Sequence, residues 1–193
     1  ILKTYLARQY AKLYPKETFV VISSKDASSL AVMIEKVLSQ KYKTVLAPHI
    51  QDTILRLNPG VKRAVLEAGR GHAGEMDLLL SLIQPRVAVF SKASFGGDGF
   101  LPENRKLASN LQKDAVAVVD CSDIQNRKIL EDFQGQVIYY GLDPEGRPAD
   151  VRAELIYEEK QHRYRNVPDF RGPRRLYCLE KFQIQTLAAA WDL

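Results

Sequence analysis

The densest chemistry in the chain lies between Ala64 and Ile83, AVLEAGRGHAGEMDLLLSLI. An apolar run delivers Glu67, and a turn containing Gly69, Gly71, His72 and Gly74 leads into a helical pattern. These glycines satisfy G-x-G-x-x-G, the spacing by which a dinucleotide-binding turn brings backbone N–H groups up to a pyrophosphate. That fingerprint belongs on the first strand and needs an acid at the end of the next. Here the run is the third of the chain, and the next one ends Phe90-Ser91-Lys92. A dinucleotide-binding, Rossmann-like domain is therefore the lesser reading. Glu67 stands at the carboxyl end of a buried run, where a carboxylate can ligate Mg²⁺ through oxygen. It can equally cap the glycine-rich turn by accepting backbone N–H bonds, and both roles stay open.

The turn after the first apolar run is where a nucleotide-binding sheet carries its phosphate loop. It reads Ser23-Ser24-Lys25-Asp26-Ala27-Ser28-Ser29-Leu30 and contains no glycine. Phosphate loops use glycines so that successive N–H groups converge on the phosphates, with a lysine reaching the outer oxygens. Asp26 would add a negative charge at that anion site. Ser28 and Ser29 suit helix capping better than phosphate binding. A third cluster runs from Arg147 to Arg175 and holds Arg152, Lys160, His162, Arg163, Arg165, Arg171 and Arg174 as well. It could contact phosphate, but a solvated hairpin explains the same charges and is favoured over nucleic acid.

These residues must be held by a fold, and the periodicities describe one. Six short runs read as strands: Thr18–Ser23, Thr44–Pro48, Ala64–Gly69, Val87–Lys92, Ala115–Asp120 and Val137–Gly141. Most are continuously apolar, as strands covered on both faces should be. Helical stripes intervene over Ser28–Gln40 and Glu75–Ile83, with weaker ones over Asn104–Leu111 and Ile124–Phe133. An opening helix carries Leu2, Leu6, Tyr10 and Leu13 and stops at Pro15. Alternating strands and helices predict an α/β fold: a mainly parallel sheet of about six strands flanked by helices. After Asp143-Pro144-Glu145-Gly146 the pattern changes, and Val151–Tyr157 alternates as an antiparallel edge strand would. A basic antiparallel extension is expected over 142–177, followed by an apolar stripe of Phe182, Ile184, Leu187 and Trp191.

Composition agrees with a single globular unit spanning residues 1–193. The chain is 46% hydrophobic and 26% charged with a net charge of +5, which excludes a disordered or strongly polyionic class. Cys121 and Cys178 are too few for a disulfide framework and read as buried thiols of a cytoplasmic protein. No apolar run is long enough for a membrane span. The start at Ile1 and the apolar end at Trp191-Asp192-Leu193 suggest a domain cut from a longer chain.

The order of these residues resembles the central domain of the Mur ligases, in particular the D-alanyl-D-alanine-adding branch. VLEAGRGHAGEMDLLLSLIQPRVAVF is similar to the family's strand, E-M-G-A-x-x-x-G-E-I turn, helix, R-P and following strand. Glu67, Gly69, Gly74, Glu75, Pro85 and Val87–Val89 fall in place. Val116–Asp120 looks like the strand before its N-x-D-D turn, and Val137–Ala153 like its Y-G-L … A-D-V-x-A passage. Leu187–Ala190 is similar to its closing N-A-L-A-A helix. The resemblance implies a three-layer fold related to the phosphate-loop NTPases, with Glu67 as a Mg²⁺ ligand and Lys106 near the family's carbamylated lysine. It also implies that the family's N- and C-terminal ligase domains are absent from these residues.

The departures fall on the chemistry. Ser23–Leu30 lies over T-G-T-N-G-K-T-T, with Ser24 and Ala27 at the glycines and Ser28 at the lysine. Ala93–Gly97 replaces an A-H-L-E-type metal-binding turn, and Glu180–Thr186 lacks the His and both Asn of an adenine motif. Asp120 replaces the Asn of N-x-D-D. Losing these together removes the machinery that positions ATP. The expectation is a pseudoenzyme: a Mur-ligase-like structural or protein-interaction module without a cofactor. Its partner would be a sister domain, a cell-wall enzyme or a second copy in a homodimer. The alternative is an ATP- and Mg²⁺-dependent amide ligase with an unconventional nucleotide site.

Overall fold

The computed structural model describes residues 2–23, 27–68, 74–90, 100–142, 150–158 and 161–167. Continuously apolar segments become strands because both faces are covered. β1 (Phe19–Ser23), β4 (Val87–Phe90) and β5 (Val116–Asp120) are buried at every position. With β2 (Thr44–Leu46), β3 (Arg63–Ala68) and β6 (Gln136–Leu142) they form six parallel strands in the order β2-β3-β1-β4-β5-β6. All six expected strands are present.

Strand alternation splits the core into two layers. Phe19, Val21, Leu66, Phe90 and Val119 face a layer with Met76 and Leu79 of α4 (Glu75–Leu82) and Leu107 of α5 (Phe100–Asn110). Val20, Ile22, Val65, Val89 and Val118 share the other layer with Leu30, Ala31, Ile34 and Leu38 of α2 (Ala27–Leu38). A final short helix, α6 (Ile124–Ile129), follows β5. Ser28 and Ser29, expected to cap α2, lie within its first turn. Gly74 takes the N-cap of α4 at φ 83°, a left-handed setting that costs glycine nothing.

Three local expectations change. The opening helix, α1 (Leu2–Ala11), forms, but the apolar stripe expected to bury it is largely outside. Leu2, Leu6 and Leu13 are 70%, 47% and 72% exposed, while Ala7 and Ala11 are buried. The small alanines let α1 lie close against α4 and a helix absent from the periodicity reading, α3 (Ile50–Leu55). Lys3 reaches Asp52 of α3 at 2.8 Å, and the Tyr10 hydroxyl donates to the Leu57 carbonyl at 2.9 Å. Finally, β7 (Val151–Glu158) is not an edge strand. It pairs in parallel with β6 through Tyr140–Val151, Gly141–Arg152 and Leu142–Ala153, and antiparallel with β8 (Gln161–Val167). Asp150 fixes this junction: its N–H donates to the Tyr139 carbonyl, and its carboxylate accepts the Tyr139 N–H, each at 2.8 Å. The rest of the expected extension, 143–149, 159–160 and 168–177, and the stripe from Phe182 to Trp191 lie outside the described residues.

Candidate functional site

In an open parallel sheet, ligands bind beyond the carboxyl ends of adjacent strands whose outgoing connections diverge. From β1 the chain leaves toward β2, on one side; from β4 it leaves toward β5, on the other. The switch point is therefore between β1 and β4, where Ser23 stands in register with Phe90. The connections bordering it, 24–26 and 91–99, lie outside the described residues, and so do Ser24, Lys25 and Asp26. The same holds for Gly69, Gly71 and His72 of the glycine-rich turn, whose last member, Gly74, starts α4.

Ser23 is fully buried at the root of the first connection. Its hydroxyl donates to Asn104 Oδ1 of α5 at 2.5 Å. Asn104 Nδ2 donates to Asn126 Oδ1 of α6 at 2.7 Å, and Asn126 Nδ2 donates to Asp123 Oδ2 at 3.1 Å. Asp123 caps α6 by accepting the N–H groups of Gln125 and Asn126, each at 3.0 Å. The chain Ser23–Asn104–Asn126–Asp123 thus crosses the carboxyl edge of the sheet from β1, past β4, to the turn after β5. An amide cannot pass a proton along in this way, so the arrangement positions groups and does not activate Ser23 as a nucleophile.

The other expected site residues are not gathered around it. Glu67 is half-buried and in register with Ile22, one strand from Ser23. By alternation it falls with Val65 on the α2 side, whereas Ser23 falls on the α5 side. Asp120 shares Glu67's face, but β1 and β4 stand between, a separation of roughly 14 Å at 4.8 Å per strand. Asp120 Oδ1 accepts from the Ser122 N–H and hydroxyl at 2.8 and 2.6 Å. No three His, Cys, Asp or Glu residues among the described ones could hold a metal ion together.

Lys106 points elsewhere on α5. Its ammonium donates to Asp77 of α4 at 2.8 Å and to Glu103 at 3.1 Å. Bonds to these two carboxylates, Asp77 first, hold it above the ordinary lysine range. The residue of α5 that reaches the end of β1 is Asn104, which the motif reading passed over. A buried polar position was nevertheless legible in the apolar spacing of Leu101, Asn104, Leu107 and Ala108.

This architecture recurs in solved proteins. The D-alanyl-D-alanyl ligase from Acinetobacter baumannii, which acts on UDP-N-acetylmuramoylalanyl-D-glutamyl-2,6-diaminopimelate, superposes on 98% of the chain with a TM-score of 0.66 at 22% identity. MurF ligase from Thermotoga maritima does so with a TM-score of 0.70 at 16% identity. The chain has the fold of a Mur-ligase central domain. It covers 45% and 48% of those two ligases, so it spans less than half their length. The Mur-type fold extends to a bifunctional folylpolyglutamate synthase/dihydrofolate synthase from Yersinia pestis, with a TM-score of 0.58 at 10% identity over 98% of this chain and 58% of that one. No protein-family model and no curated protein sequence matches the chain. No helix among the described residues is long and apolar enough to cross a membrane.

Proposed function

We propose that this is a non-catalytic Mur-ligase-like domain, a structural or protein-interaction module of cell-wall biosynthesis working in the cytoplasm. The observation that carries the reading lies at the end of β1. Ser23, which precedes a connection without glycine, donates its hydroxyl proton to Asn104. The donors that converge on an ATP phosphate, glycine N–H groups and a lysine, are replaced in sequence by Ser24, Ala27 and Ser28. This residue set does not fit ATP. Lys106 is also a poor carbamylation site, because CO₂ adds to the neutral amine and two carboxylates hold this one protonated. The interaction half of the reading is supported by α1 and the turn after it, where Leu2, Tyr5, Leu6 and Leu13 are exposed. A sister domain, a cell-wall enzyme or a second copy would meet such a face.

Titration calorimetry with ATP, with and without Mg²⁺, tests the proposal. The expected result is no binding below millimolar ATP; a micromolar dissociation constant overturns it.

One observation favours a second reading. Glu67 stands at the carboxyl end of β3, directly beside β1. Of the proteins sharing the fold, the Thermotoga ligase was solved in complex with ADP. An ATP-dependent amide ligase with an unconventional site would use Glu67 for Mg²⁺, and the same titration would reveal it.

A further inference from the structure

Seven polar residues are buried among the described ones, and four of them form the single chain Ser23–Asn104–Asn126–Asp123. We propose that Asn104 and Asn126 are positioning residues that couple the end of β1, through α5, to the cap of α6, so that the two respond as one unit.

The direction of the hydrogen bonds carries the argument. Each donor points the same way, from the Ser23 hydroxyl through two amides to the Asp123 carboxylate. A carboxylate at the end polarises every bond behind it, so the bonds strengthen one another. Turning Asn126 over would set N–H against N–H at Asn104 and oxygen against oxygen at Asp123; with Asn126 so fixed, turning Asn104 over would set its oxygen against Asn126 Oδ1. Asn104 and Asn126 are both 0% exposed, and Asp123 is 3% exposed. One orientation is therefore allowed, and a change at Ser23 is felt at Asp123. The carboxylate in turn holds two N–H groups at the start of α6, so that strain at one end has a specific readout at the other. The inference does not depend on the non-catalytic reading and holds for a nucleotide-using domain as well.

Amide hydrogen exchange by NMR on the whole 193-residue chain tests it, with Ser23→Ala, Asn104→Leu and the double variant. Ser23→Ala should speed exchange at the amides of Gln125 and Asn126 at least threefold, while that of Leu79 on α4 stays at its wild-type rate. The double variant should exceed Asn104→Leu alone by less than Ser23→Ala exceeds wild type. If Asn104→Leu does not fold, the Ser23→Ala comparison decides. Wild-type exchange at Gln125 and Asn126 in Ser23→Ala, or strictly additive effects in the double variant, would overturn the coupling.

Discussion

Gly141 of β6 lies so close to Cys121 that a Cβ at the glycine would stand 2.3 Å from the cysteine Sγ. The contact lies next to Asp120, whose register partner is Tyr140, so it sets how tightly the turn after β5 folds against β6. Gly141→Ala should destabilise the domain by about 1–3 kcal/mol through overpacking. Cys121→Ala in the same chain should recover part of that loss. Urea unfolding of the two single variants and the double variant measures it, and strictly additive losses would contradict the contact.

Asp123 both caps α6 and anchors Asn126. Asp123→Ala should therefore cost about 2 kcal/mol, at the upper end for a lost N-cap, because Asn126 also loses its acceptor. Asp123→Ser should retain much of the cap. Equal stabilities of the Ala and Ser variants by urea unfolding would count against this account.

The Tyr14 hydroxyl is pushed up to about 12, chiefly by its hydrogen bond to Tyr10. A folded value above the unfolded one near 10 favours the neutral phenol, so the contribution to stability is complete below pH 10. It fades as pH rises through the window from about 10 to about 12. Tyr10→Phe should return the titration of Tyr14 toward 10, read from tyrosinate absorbance. An unchanged titration in that variant refutes the assignment.

For Lys106 the raised value has the opposite chemistry and the same sign. The protonated form is favoured by Asp77 and Glu103, so the stabilisation is present at neutral pH. It is lost only above the ordinary lysine value of 10.5. The stability difference between wild type and Lys106→Met should be constant from pH 7 to about 10, then shrink. ¹³C NMR in labelled bicarbonate should show no carbamate; a carbamate signal absent from Lys106→Met would reverse the reading.

Glu67 separates the two functional proposals. As a residue that only steadies its turn, Glu67→Gln should change stability by about 1 kcal/mol. Thermal unfolding should then respond to Mg²⁺ identically in the wild type and the variant. A rise in Tm with Mg²⁺ that disappears in Glu67→Gln supports the ligase.

How much of this was legible beforehand depended on periodicity. Buried β-branched runs such as Val116–Asp120 admit one interpretation, and all six parallel strands followed from them. α3 is only six residues long, but Ile50, Ile54 and Leu57 carry the helical spacing ahead of the Asn58-Pro59-Gly60 turn, a signal that was available. The orientation of α1 was not legible, because its larger apolar residues suggested the buried face. Close approach to α3 and α4 instead selected Ala7 and Ala11. At the candidate site, motif comparison drew attention to Lys106. The spatial neighbour of Ser23 is Asn104, 81 positions further along, and no local pattern encodes that bond.

The placement of β1 between β3 and β4 also has a consequence for synthesis. Phe19 pairs with Ala64, and Val20 with Val87, so this fully buried strand is made well before either neighbour. At ~5–20 residues per second, a nascent Val20-Val21-Ile22 waits on the order of seconds for its second partner. During that interval its strand edges are open to other chains. A chaperone that shields β1 during synthesis should therefore raise the yield of folded protein more than one acting after β4 has emerged.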